Sequence, residues 1–270
     1  MIGEQRGAAD AESLLEDFGV TKLPIKPEEI AKEISHDSFN LVLESHSFDS
    51  DNILGKAVGN ERGALVYVNS NIPHGGRYNF TVAHELGHVC MHIMTGMRES
   101  FECGSSELSN QYEDPREQEA NGFASGLLMP KSLISPLTDG DINWANIRFI
   151  EKACETSLEA VFRRMTRIYK EPSALIMHKN GKFWRYVLSD NFAAFINKSP
   201  LSKDQKTLCV NGLTEDFPED FDTVDAMDWV NPRIKNETLE SIYSSSISLK
   251  NNITYTLLRY DDECFPETEY

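Results

Sequence analysis

Two histidines one helical turn apart, in a segment whose other positions are largely apolar, constrain this chain more than any other feature. The segment begins at Arg77 and reads RYNFTVAHELGHVCMHIM. On a helix, His84 and His88 stand about 40° apart on one face. Phe80, Val82, Ala83 and Leu86 supply apolar faces, and Gly87 leaves room for a neighbour. The pattern predicts a buried helix, in which two unpartnered imidazoles would be costly. Whatever fold the chain adopts must therefore bring something to this face.

The natural partner is a metal ion. Two imidazoles at i and i+4 converge on one Zn2+ at about 2.0–2.1 Å. Glu85 follows the first ligand, where a carboxylate can act as general base towards a water that the metal activates. A catalytic zinc site also needs a third protein ligand and an open position. One known continuation places a glycine and then a third histidine on the stretch just after His88. It is excluded, because the chain carries Met91 and Met94 at those positions. The alternative source is a following helix, Pro115 to Pro130, which contains EQEANGFASGLLM. On it Glu117, Ala120, Asn121, Ala124 and Leu128 share a face. Glu117 is the expected ligand, and Ala120 is small enough for the helices to approach. Asn121 is placed to orient a ligand histidine through its other ring nitrogen. Glu119 points roughly 200° away from Glu117 and reads as a solvated residue, kept as an alternative ligand.

Other candidates carry less. His92 continues the register but lies about 12 Å along the helix from His84, too far for the same ion, and reads as a packing residue. His74, Tyr78 and Tyr112 are kept as candidates for oxyanion stabilisation. Cys90 reads as a small buried residue.

Four segments, PIKPEEIAKEI, ALVYVN, RYNFTVAHELGHVCMH and EQEANGFASGLLMP, resemble the ImmA/IrrE metallo-endopeptidase family, in its order and over roughly residues 10 to 170. The resemblance implies zinc ligands at His84, His88 and Glu117, a general base at Glu85 and a gluzincin-like helical core with a small sheet. It also implies a protein substrate, a helix-turn-helix repressor whose cleavage derepresses prophage, mobile-element or stress genes. Gly122 and Gly126 depart from the family's pattern, in which larger or helix-favouring residues are common there; each costs about 1 kcal/mol relative to alanine in a helix, which suggests tight packing or some looseness. Ile147 to Met165 looks like the family's trailing helices. Residues beyond about 172 are poorly covered, although Ala226 to Leu258 looks like the tail of some longer members.

The expected fold is therefore α+β. A mainly helical core with a small β-sheet occupies residues 1–171, and a smaller α/β domain, sensory or partner-recognising, occupies 172–270. Helices are expected over Ala8 to Phe18 and from Pro27, strands over Phe39 to Leu43 and Ala64 to Val68, and a loop from Thr95 to Asp114. Helices are expected again over Asn143 to Ala153 and Ser157 to Tyr169. Asn180-Gly181 between apolar runs predicts a hairpin, and Asn251-Asn252 a weaker one.

The 270 residues carry 26 Lys and Arg against 43 Asp and Glu, a net charge of −17. That balance argues against a protein that coats nucleic acid. The basic edge Arg163, Arg164, Arg167 and Lys170 is read as part of a packed helix. Residues 201–270 hold 15 acids and 6 bases, so the C-terminal part is expected to help attract a basic partner. No stretch approaches the ~18 apolar residues of a membrane span. Five cysteines without a CxxC pair suit a reduced, cytoplasmic setting. A rival from another class is a binding module that sequesters a regulator or antitoxin-like partner without cutting it. An intact Glu85 counts against it.

Overall fold

The computed structural model describes residues 2–50, 52–72, 75–96, 100–104, 114–213, 217–234 and 237–266. His74 and Tyr112 lie outside them. The chain divides into two compact units, one of residues 1–137 with 150–160, the other of 138–149 with 161–270. The architecture is α+β, with a β-rich C-terminal part.

In the first unit, helix α1 spans Ile2–Asp17 and α2 spans Pro27–Ile34. Gly19, at φ +66°, follows α1, the left-handed conformation that commonly ends a helix. Pro27 opens α2, where its missing N–H is not needed, and Glu28 and Glu29 lie in the first turn. Four strands follow: β1 (Asn40–His46), β2 (Ile53–Asn60), β3 (Gly63–Asn69) and β4 (Ser100–Gly104). They form one sheet in the order β1-β3-β2-β4, with β1 parallel to β3 and the other pairs antiparallel.

Two of these strands differ from the sequence reading. In β2, Gly55, Lys56, Gly59 and Asn60 interrupt the apolar alternation on which recognition of a strand rests. The segment Thr95 to Asp114, read as a loop, contains β4, whose pairing with β2 supplies what its polar sequence does not.

Helix α3 (Gly76–His88) continues directly into a π-helical turn at Val89–Ile93. Helix α4 runs Pro115–Leu128, capped by the Asp114 side chain, which accepts from the Arg116 N–H at 2.9 Å. A Cβ added at Gly87 would lie 3.0 Å from Ala120 Cα, so α3 and α4 meet almost backbone to backbone. The other side of α4 is closer still to α1. A Cβ at Gly122 would lie 2.1 Å from the Glu4 carbonyl oxygen, and one at Gly7 1.9 Å from that of Glu119. The departure at Gly122 and Gly126 is thus explained by close packing.

In the second unit, β5 (Ser173–Lys179) and β6 (Lys182–Leu188) form the hairpin expected at Asn180-Gly181, whose φ values are +53° and +71°. Strands Ile253–Arg259 and Ser241–Leu249 extend the sheet, joined through Asn251 and Asn252, also at positive φ. Ala174, Ile176, Ile242 and Leu258 of these strands form one core cluster with Phe192 and Trp229. Trp144, fully buried, donates its indole N–H to the Ser245 carbonyl at 3.0 Å. Arg164 is buried and Arg167 pairs with Asp190, so these two members of the basic edge are committed to the fold. No helix among the described residues is long and apolar enough to cross a membrane.

Candidate metal centre

Helix α3 is buried from Thr81 to His88, as its apolar faces require. Its two imidazoles meet the first turn of α4 because Gly87 and Ala120 let the axes approach. His84 Nε2 lies 3.2 Å from Glu117 Oε2, and His88 Nε2 lies 3.3 Å from Glu117 Oε1. The two Nε2 atoms are 3.1 Å apart. Three groups, each able to offer one ligand atom, therefore converge, and together they could hold a metal ion. His84 is fully buried, His88 is 1% exposed and the Glu117 side chain 13%.

The electrostatics suit a cation. Burial pushes the His88 pKa down to about 4, against the raising influence of its hydrogen bond to Glu117. For Glu117, burial acts upwards, but the hydrogen bonds and charges of His84 and His88 outweigh it and hold the carboxyl well below the usual range. The His84 Nδ1 lies 3.0 Å from Asn121 Oδ1, an acceptor. Nδ1 therefore carries the proton and the Nε2 lone pair points inwards. A lone pair facing a second imidazole and an ionised carboxylate is an arrangement that a cation resolves. Two imidazoles and a carboxylate are a zinc donor set.

Glu85 is fully buried on the same helix. Its carboxylate lies against β2 in the space a side chain at Gly55 would take, since a Cβ there would stand 2.4 Å from Glu85 Oε1. Phe101 of β4 stacks on the His88 ring at a centroid distance of 4.4 Å and 16° between planes. Sequence reasoning missed both Gly55 and Phe101. A glycine within a strand marks a close backbone approach, but the strand itself is hidden by the polar residues around Gly55; Phe101 had no signal.

Two residues have roles other than those expected. Glu119 is not solvated: its side chain is 14% exposed, accepts from Arg6 Nη1 at 2.8 Å, and lies 3.0 Å from His92 Nε2. His92 is buried, and its Nδ1 lies 3.1 Å from His88 Nδ1. It is too far along to join His84 and His88, yet it is bonded to one of them. Tyr78 donates to Glu28 Oε1 at 2.6 Å, and burial followed by Glu28 pushes its phenol up to about 12. Cys90 sits half-buried in the π-helical turn.

The geometry agrees with the comparisons. Residues 37–166 match the peptidase M78 family model, described as the IrrE N-terminal-like domain. Among solved structures, the chain is similar in fold to a Mycobacterium tuberculosis transcriptional regulator. The TM-score is 0.50 at 13% identity, over 94% of this chain and 87% of that one. No curated protein matches the sequence. Over residues 37–166, this chain carries an IrrE N-terminal-like domain of the metallopeptidase-type M78 family, in agreement with the resemblance of its motifs.

Proposed function

We propose that this protein is a zinc-dependent endopeptidase that cleaves a helix-turn-helix transcriptional repressor. The observation that carries the reading is the convergence of His84, His88 and Glu117 beside a buried Glu85. His84, His88 and Glu117 would hold the ion. Bound there, zinc supplies Lewis-acid polarisation of the scissile carbonyl and lowers the pKa of a water. Glu85 accepts a proton at its carboxylate during attack and returns it to the leaving amine. Burial of Glu85 against β2 fixes where that carboxylate stands, and Asn121 holds the His84 ring in the tautomer a ligand needs.

The choice of substrate rests on the motif resemblance and on charge. DNA-binding repressors carry basic faces, and a chain of net charge −17 attracts them. Residues 172–270, whose excess of acids lies after residue 200, are read as the partner-recognising part, acting in the cytoplasm. The test incubates zinc-loaded wild type and Glu85→Gln with the helix-turn-helix protein encoded beside this one and reads new termini by mass spectrometry. New termini from wild type alone support the mechanism. Equal cleavage by both variants refutes the role of Glu85, and none by either refutes the substrate.

A further inference from the structure

From one of the three ligating residues runs a second line of groups, His88–His92–Glu119–Arg6, on α3, the π-helical turn that follows it, α4 and α1. We infer that His92 and Glu119 are positioning residues of the metal centre, holding His88 in its ligating tautomer and orientation, with Arg6 of α1 as the outer end of the line. The inference rests on the reading of His84, His88 and Glu117 as metal ligands.

The hydrogen positions follow from what each atom can do. If His88 offers its Nε2 lone pair to an ion, its remaining proton is on Nδ1. The atom facing that proton at 3.1 Å is His92 Nδ1, which must then accept. A neutral imidazole that accepts at Nδ1 carries its proton on Nε2. That Nε2 lies 3.0 Å from Glu119 Oε2, and a carboxylate only accepts. The other oxygen, Oε1, accepts from Arg6 Nη1 at 2.8 Å. Each group thus has one available role, and all three hydrogen bonds run towards the same carboxylate. The reverse assignment fails at its first step, because a proton on His92 Nδ1 would face the proton on His88 Nδ1.

The two histidine ligands are therefore backed differently. His84 donates to the neutral amide of Asn121, and His88 is backed through His92 by a carboxylate charge. Phe101 stacks on the His88 face while His92 holds its edge, so the ring has little rotational freedom left. The π-helical turn begins at Val89, immediately after His88, and Met94 N bonds to Val89 O across it at 2.9 Å. Such turns gather at functional sites, and here the turn contains the residue that meets His88. Arg6 belongs to α1, outside the residues matched to the family. Its side chain is 64% exposed, so its own effect is expected to be small.

Partners of this kind change metal affinity by about 10–100-fold when removed. The test measures zinc affinity of the full chain by competition with a chromophoric chelator. His92→Phe is expected to weaken binding about 10–100-fold, Glu119→Gln less, because the amide oxygen still accepts from His92, and Arg6→Ala less than threefold. Leu127→Ala makes a cavity in the same helix away from this line. It should lower the melting temperature with zinc affinity within about twofold of wild type. A second readout is 15N NMR of the zinc-loaded wild type, expected to show His88 protonated at Nδ1 and His92 at Nε2. Unchanged affinity in His92→Phe, or a His92 protonated at Nδ1, overturns the inference while the metal site stands. A wild type that binds no zinc overturns the site and the inference together. Should His92→Phe not fold, Glu119→Gln and the NMR tautomers decide the matter.

Discussion

Replacing Gly55 with alanine tests whether Glu85 stands where the proposed chemistry needs it. The three heavy atoms nearest the added carbon all belong to Glu85: Oε1 at 2.4 Å, Cγ at 2.9 Å and Cδ at 3.0 Å. Ordinary contact begins at 3.4 Å, so the carboxylate must retreat by about 1 Å. It is the far end of a side chain, and moving it off its rotamer costs about 0.5–1.5 kcal/mol. Against that, alanine restricts the unfolded chain and returns about 0.4–1 kcal/mol. The fold should therefore be nearly indifferent, with a melting shift of a few degrees at most. Chemistry should not be: a misplacement of about 1 Å costs on the order of 100-fold, near 2.7 kcal/mol of barrier. Cleavage is measured from the rate at which new termini form under zinc saturation, with zinc content and melting temperature recorded on the same samples. The expected outcome is wild-type zinc content, nearly wild-type melting and a rate about 100-fold lower, close to that of Glu85→Gln. A rate within threefold of wild type would refute the placement of Glu85. Loss of zinc would show that the methyl group acts on the ligands.

Four further outcomes follow from the same structure. Gly7→Ala forces a carbon within 1.9 Å of the Glu119 carbonyl; overpacking of about 1–3 kcal/mol outweighs about 1 kcal/mol of helix propensity, so melting should fall by several degrees. Gly122→Ala should do the same, and the double variant should lose less than the sum, because the second methyl meets a helix already displaced. His178 is 2% exposed, and burial holds its pKa below the ordinary value despite the Ser199 carbonyl at 3.1 Å. The unfolded state then takes up the proton first, so stability falls as pH drops below about 6.5, and urea unfolding at pH 5.5 and 7.5 should show a smaller loss in His178→Gln. Burial pushes the Cys154 thiol up to about 12, leaving roughly one molecule in ten thousand as thiolate at pH 8, so iodoacetamide should label Cys154 only after unfolding. Finally, if the acidic residues beyond 200 steer a basic substrate, the cleavage rate should fall as salt is added, and a flat profile would refute that role.

Where the sequence was legible, a local rule sufficed. Histidines at i and i+4 with apolar neighbours marked α3, and Pro27 marked the start of α2. Asn180-Gly181 marked the β5–β6 hairpin, which formed at positive φ as that pair demands. The convergence of Glu117 with His84 and His88 was readable because it needed only one face of each helix and a small residue, Ala120, between them. What stayed hidden depended on a partner distant in sequence. Strand β2 is broken up by Gly55, and Gly55 makes sense only once Glu85 is known to press against it. Strand β4 owes its structure to pairing with β2, so its polar sequence carried little signal of its own. The π-helical turn could not be seen from a 3.6-residue period, which treats α3 as uniform through Ile93.

The misreading of Glu119 shows how helix α4 works. A helical wheel places Glu117 and Glu119 far apart and assigns them opposite fates, one facing the site and one facing water. That inference holds for a helix with a single buried face. Helix α4 is packed on two sides, with α3 close enough at Gly87 to touch Ala120 and α1 close enough at Gly7 to touch the backbone of Glu119. Its two glycines cost about 2 kcal/mol of helix propensity together, a cost that makes sense only if close approach on the α1 side returns more. The approach of α1 also encloses Glu119, leaving it 14% exposed between Arg6 and His92. A carboxylate so enclosed has to be bonded, and its bond to His92 reaches back to His88. Both acids of α4 thus bear on His88, Glu117 directly and Glu119 by way of one more ring. The small residues that made the helix look irregular are what allow both.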